Sequence, residues 1–248
     1  MPLIPDVDYH YREYDEVKRM NTARIIALTK PIISSNGNIG HNQPPMDVDE
    51  FIAYVARVSN PGNQNNSVTA PKLLRYLAKH KHWSPFEMVN VVMEINTTRD
   101  IGRQILRHRS FTFQEFSQRY ADPTKDMGFT VRREARLQDT ANRQNSIETS
   151  DKGTQFEWQK LQCIVRDTSR GSYEQAINMG IAKEQARALL PEGLILSRMY
   201  MAGSLRSWIH YCQLRMGVET QKEHREVALD AWYQITEAFP SLKDALDI

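Results

Sequence analysis

Arg107-His108-Arg109 is followed after seven residues by Ser117, and Gln104, Glu115, Arg119 and Tyr120 crowd the same stretch, QILRHRSFTFQEFSQRY. Guanidiniums present flat forks of N–H donors that match phosphate oxygens two at a time. A carboxylate, a hydroxyl and an amide can pair with the edge of a sugar or a small heterocycle. Gln104 and Arg107 are three apart and would share a helix face, so one ligand could meet both. Glu115, Ser117 and Arg119 alternate, and in an extended segment they would project to one side. A solvated basic face is the commonplace reading of an Arg-rich helix end, where cations are favourable in any case. An exposed strand edge is the commonplace reading of the alternation. The density of polar groups points instead to a segment that grips a ligand. Ser117 has only His108 near it in sequence as an activating base, so it is read as a hydrogen-bonding contact rather than a nucleophile.

Further along, Arg206 and His210 are four apart on one helix face, opposite an apolar stripe of Leu205, Trp208, Ile209 and Cys212. Arg215 is nine residues from Arg206, half a turn out of phase, and should address a different group. His82, Ser84 and Glu87 flank Pro85, which sets a turn before a strand. Arg187 falls near the end of a short helix. Cys212 lies on the apolar stripe and Cys163 in WQKLQCIV; both read as core residues without a partnered base. There is no GxGxxG, no P-loop and no metal-ligand spacing.

These groups need elements to carry them. The 248 residues, 40% hydrophobic and 25% charged, suit a globular chain with a sizeable core, and a net charge of +2 gives no global field toward nucleic acid or an anionic membrane. No apolar run reaches membrane-span length, and MPLIPDVDYHYREYDEVKRM has no signal-peptide core. Two cysteines without a framework suggest a reducing cytoplasm. Residues 1–22 read as an N-terminal arm and Ala23–Leu28 as a short buried strand. Residues 31–49 and 59–67 read as loops, with a tight turn at Asn36-Gly37. Asp47–Val58 reads as a helix capped by Asp47 or Asp49, Pro71–Lys79 as an amphipathic helix, and Phe86–Asn96 as a strand by its alternation. A helix starting at Thr97–Asp100 runs to the arginine triplet. Residues 121–154 read mainly as loop with a strand at Gly128–Arg132. Helices follow over Phe156–Met179, Lys183–Leu190, Ser204–Leu214 and Glu219–Phe239. Strands early and helices late predict a single α+β domain over residues 1–248, with a small mixed or antiparallel sheet flanked by helices and a helical C-terminal half.

Ala56-Arg57-Val58-Ser59, His82-Trp83-Ser84-Pro85-Phe86-Glu87, the Arg107–Ser117 run, Ala186-Arg187 with Leu190-Pro191, Gly203–His210 with Arg215, and Gln221-Lys222-Glu223 follow one another along the chain. In kind and order this series resembles the signature elements of the flavin-dependent thymidylate synthases. The resemblance implies that Gln104, Ile105, Leu106 and Arg107 meet dUMP and that Arg107, His108, Arg109 and Ser110 meet FAD. It implies that Glu115, Phe116, Ser117, Gln118 and Arg119 surround dUMP, with Glu115 also near the flavin. It sets Ser84 against FAD from a neighbouring subunit, Ser204, Leu205, Arg206 and His210 against the flavin, and Arg187 on the dUMP phosphate. Arg215 would meet the uracil, where its charge favours ionisation at N3, and is the candidate catalytic residue. The implied reaction is methylation of dUMP to dTMP with 5,10-methylenetetrahydrofolate as carbon donor and NADPH as reductant of FAD, in a homotetramer. Ser204 and Gln114 stand where the family commonly has Asn, the spacing from Pro191 to Arg198 is one residue longer, and residues 31–49 resemble an extension. Two alternatives stay open: a catalytically silent flavin- or nucleotide-binding relative, and an Arg-rich nucleic-acid-binding protein, which the small net charge disfavours.

Overall fold

Val91, Met93 and Ile95 are buried and alternate with Asn90, Val92 and Asn96; Met199 and Met201 are buried and alternate with Arg198 and Tyr200. That period of two makes strands with one face in a core and one toward solvent. In the computed structural model, which describes residues 20–36, 38–39, 44–129 and 133–243, these are the central pair of an antiparallel sheet. The strands are Thr22–Leu28 (β1), Asn90–Thr98 (β2), Thr112–Glu115 (β3), Arg136–Gln138 (β4), Ser146–Glu148 (β5) and Leu196–Ser204 (β6). The main sheet has the order β1-β2-β6-β3, and β4-β5 form a separate hairpin.

The helices are Val48–Ala56 (α1), Ala70–Lys79 (α2), Arg99–Ile105 (α3), the single turn Pro123–Asp126 (α4), Lys152–Asn178 (α5), Lys183–Ala186 (α6), Leu205–Arg215 (α7) and Lys222–Ala238 (α8). The main core lies between the sheet and α1, α2, α7 and α8; Trp208, Tyr211, Phe86 and Ile52 are its large buried side chains. Trp208 Nε1 donates to the Val91 carbonyl at 3.1 Å and fixes α7 across β2. The edge strand β1 is tied to α8, where Asp230 accepts from the Ala23 N–H at 2.8 Å and Gln234 from the Ile25 N–H at 3.3 Å. A second, small cluster of Tyr173, Ala186 and Leu190 joins α5 to α6. No helix among the described residues is long and apolar enough to cross a membrane.

The α+β class holds, and the sheet is antiparallel rather than mixed. Asp47 caps α1, its side chain accepting from the Glu50 N–H at 2.7 Å. The C-terminal half is helical apart from β4, β5 and β6, and β6 supplies the strand that pairs with both β2 and β3. Three expectations need correction. Residues 121–154 hold the β4-β5 hairpin rather than loop alone. Cys163 is only half-buried, since α5 packs along its length on little else; Cys212 is fully buried. The strand β1 is also less buried than expected, with Ile26 exposed beyond a bulge between Ile25 and Ala27. The expected arm, the Asn36-Gly37 turn and the Gly128–Arg132 strand lie wholly or partly outside the described residues, although Phe129 bridges Ile195.

Candidate active site

α3 carries the arginine segment outward. Its first N–H groups have no helical partner, and the carbonyls of Ile195 and Glu192 accept those of Arg99 and Asp100 at 3.0 and 3.2 Å. Past Ile105 the chain turns through 107–111, where the His108 carbonyl accepts from the Phe111 N–H at 3.3 Å. That turn can lie on β6 because of Gly203: a Cβ there would stand 2.5 Å from the Phe111 ring. Arg107, Arg109 and Ser110 are exposed, and neither guanidinium has a protein partner among the described residues. Ile105 faces the core and Leu106 is half-buried, so Ile105 can meet a ligand only through its backbone.

Behind the turn lies a cluster of half-buried and buried rings. Arg215, at the end of α7, donates from Nε to His108 Nε2 at 2.9 Å. Burial first, then the charges of Arg215 and Arg107, lower the His108 pKa from 6.5 to about 4, so the ring is neutral and can accept that bond. This occupies the one nearby base that could have activated Ser117. The Ser117 hydroxyl instead accepts from the Arg119 N–H at 3.4 Å.

Two further groups lie toward the two ends of β6, whose residues Ser197 and Ser204 are about 23 Å apart at the rise of a strand. At the Ser204 end, Arg206 donates to Glu87 at 2.7 Å, and Trp83 meets the edge of the His210 ring at 5.0 Å between centroids. The Ser204 hydroxyl and then Arg206 hold the Glu87 carboxyl below its usual range, while burial and Arg206 lower the His210 pKa. Ser204 also caps α7, accepting from the Ser207 N–H at 3.2 Å, and Leu205 is buried in the core. Ser84 is exposed in the turn of 3-10 helix Ser84–Met88 beside this group.

At the other end, Ser197 donates to Glu115 at 3.1 Å, with Arg99 at 3.5 Å and Arg103 at 3.9 Å from the same carboxylate. The expected alternation through Arg119 stops there. β3 ends at Glu115, and the Ser117 carbonyl accepts from the N–H groups of Tyr120 and Ala121, both at 3.2 Å, which makes a turn. Phe116 is half-buried and Gln118 buried. Arg119 pairs with Glu184 at 3.4 Å and Lys183 donates to the Tyr120 carbonyl at 3.0 Å, which brings this turn beside Arg187 on the next turn of chain. One chain therefore sets Arg215 against His108 beside the arginine turn and places Glu115 on Arg99 and Arg103 of α3, but holds the Ser84–His210 group toward the other end of β6 from Glu115.

A cavity of about 890 Å³ lies elsewhere, lined by Asn21, Arg133, Arg136, Lys222, Glu223 and Asp230 among others. Its charges neutralise one another, with Arg136 on Glu223 at 2.6 Å and Lys222 on Glu134 at 2.6 Å.

Residues 44–241 match the family described as thymidylate synthase complementing protein. The chain is 46% identical over 224 residues to the flavin-dependent thymidylate synthase of Synechocystis, covering 90% of this chain and 98% of that one. It is 44% identical to a probable flavin-dependent thymidylate synthase of Paramecium bursaria Chlorella virus 1, covering 91% and 99% of the two chains. The chain belongs to the flavin-dependent thymidylate synthase family. A solved structure of a UMP/dUMP methylase, PolB, from Streptomyces cacaoi bound with 5-Br dUMP has a TM-score of 0.71 at 22% identity, covering 91% of this chain and 93% of that one; at that identity the likeness is of fold.

Around these flavin-dependent thymidylate synthase motifs the structure adds Arg99, Ser197, Tyr211 and His224, which the sequence reading did not single out. Arg99 and Ser197 have no motif residue beside them, and their shared partner Glu115 is adjacent to neither in sequence. Tyr211 and His224, both buried, had a local hint: Tyr211 follows His210, and His224 follows Gln221-Lys222-Glu223 directly.

Proposed function

We propose that the protein methylates dUMP to dTMP, taking the carbon from 5,10-methylenetetrahydrofolate and reducing equivalents from NADPH through bound FAD. The observation that carries this reading is the 46% identity to a flavin-dependent thymidylate synthase over nearly all of both chains. The exposed, unpartnered guanidiniums of Arg107 and Arg109 beside the Ser110 hydroxyl are donors of the kind a flavin pyrophosphate needs, so the residues fit the cofactor. When bound, the reduced flavin supplies the hydride that completes the methyl group.

The chain's own residues bind and orient. Gln104, Arg107 and the turn from Glu115 to Arg119 hold dUMP, with Phe116, Ser117 and Gln118 as contacts and Arg187 on the phosphate. Arg215, aimed by its bond to the neutral His108, keeps its two terminal nitrogens for the uracil, where the positive charge favours the N3-ionised base. Ser84, Ser204, Arg206 and His210 receive the flavin. Their distance from Glu115 in one chain is resolved when the site is shared between subunits of a homotetramer. The exposed apolar residues Trp158, Leu161 and Val165, three and four apart on α5, offer a face for such contacts.

The test is turnover. Purified, FAD-loaded protein mixed with dUMP, 5,10-methylenetetrahydrofolate and NADPH is expected to form dTMP. Protein that retains FAD and binds dUMP but forms no dTMP would be a silent relative, and protein that never takes up FAD would end the flavin reading.

A further inference from the structure

A line of hydrogen bonds runs behind the arginine segment from one buried helix to another. The Tyr211 hydroxyl is 3.1 Å from His224 Nε2, and His224 Nδ1 is 3.3 Å from Gln104 Oε1. Gln104 Nε2 donates to Gln221 Oε1 at 2.7 Å, and Gln221 Nε2 donates to Glu223 at 2.9 Å. Glu223 also receives both bonds of Arg136, at 2.6 and 2.8 Å.

The direction of this line is settled by its end. A carboxylate only accepts, so Gln221 must donate to it, its carbonyl must accept from the Gln104 amide, and the Gln104 carbonyl oxygen is left facing the His224 ring. That oxygen needs a donor, so Nδ1 carries the proton; Nε2 is then bare and accepts from Tyr211. Burial, with the charges of Arg215 and His108, lowers the His224 pKa from 6.5 to about 3, which agrees with a neutral ring holding a single proton.

The consequence falls on Gln104. Its amide nitrogen has two hydrogens, and the line uses one. The other is a donor that the half-buried Gln104 can offer to a carbonyl or phosphate oxygen of a ligand. The opposite amide orientation would present an oxygen to those oxygens and repel them. We propose that His224, oriented by Tyr211, is a positioning residue that locks the Gln104 amide with its free N–H toward the nucleotide. This rests on the proposal that Gln104 meets dUMP.

The experiment is calorimetric titration of dUMP into the FAD-loaded protein. His224→Leu is expected to weaken dUMP binding about tenfold, roughly the value of one correctly offered hydrogen bond. His224→Asn sets an amide N–H where Nδ1–H stood and is expected to stay within about threefold of the parent. In a Gln104→Ala background the same His224→Leu change is expected to make no further difference, because a residue acting through Gln104 has nothing left to act on. Tyr211→Phe keeps the ring packing and serves if His224→Leu does not fold; it should loosen dUMP in the same direction. Parent-like dUMP affinity in both His224→Leu and Tyr211→Phe would overturn the proposal. So would an undiminished loss from His224→Leu without the Gln104 side chain, which would mark a merely structural role. If the unaltered protein takes up FAD but does not bind dUMP, the functional reading itself fails, which these outcomes keep distinct.

Discussion

Two arginine-rich segments of this chain look alike as sequence and do opposite things. In Arg107–Arg109 the guanidiniums are exposed and have no protein partner among the described residues. In Arg133–Arg136 they are enclosed. Arg133 holds Asp100 at 2.6 and 2.8 Å and the Thr98 hydroxyl at 2.6 Å, and Arg136 grips Glu223 with both bonds. Glutamines of α5 clamp the second segment by its backbone, with Gln162 bonded to Arg133 and Gln155 to Ala135 in both directions. A guanidinium held by protein acceptors stabilises the fold, and one without them is available to an anion. The first segment sits on a helix end and a turn over β6; the second bridges α3, α5 and α8.

The comparison breaks most easily at Arg133. Arg133→Met should cost about 2–3 kcal/mol of stability, between the values for surface and fully buried pairs, because it leaves a half-buried Asp100 without its cation. Denaturant unfolding measures this, and FAD affinity should not change. Arg133, with Thr98, holds the Asp100 pKa below its usual value of 3.8 against the opposing effect of burial. A depressed carboxylate contributes stability above its unfolded pKa and loses it as pH falls through the folded one, so the gap between variant and parent should close below about pH 4. A gap that persists in acid would mean that Arg133 acts by packing alone.

The next effect belongs to the open segment. Arg109→Ala should leave unfolding of the FAD-free protein within about 0.5 kcal/mol and weaken FAD about tenfold, as expected for one charge-assisted hydrogen bond. Equal FAD affinity would place the cofactor elsewhere. The smallest effect concerns His108. Its folded pKa lies below the unfolded value, so the unfolded chain takes up the proton first, and the protein should lose stability as pH falls from 6.5 toward about 4. Arg215→Met removes the second cause of that depression and leaves burial, the first; NMR titration of the ring should move upward yet stay below 6.5. An unmoved titration would show that Arg215 and His108 do not interact in solution.

Much of this was legible along the chain. The helix α1 with its Asp47 cap, the amphipathic α2, and the stripe of Leu205, Trp208, Ile209 and Cys212 follow from spacings of three and four residues, which a helix turns into contacts without outside help. The series of motifs sufficed to place the chain in its family, and the half-turn between Arg206 and Arg215 correctly sent them to different partners, Glu87 and His108. What remained hidden depends on residues distant in sequence. β6 is a strand because β2 and β3 flank it, although its Met and Ser residues favour no strand by themselves. Whether an arginine is open or occupied, whether Glu115 shares a place with Ser84, and which way the Gln104 amide faces are settled by partners such as His224, 120 residues from Gln104. Local periodicity determined which residues share a face. Only the tertiary structure decided which of their donors were left unspent, because hydrogen-bond partners are assigned by space and not by sequence.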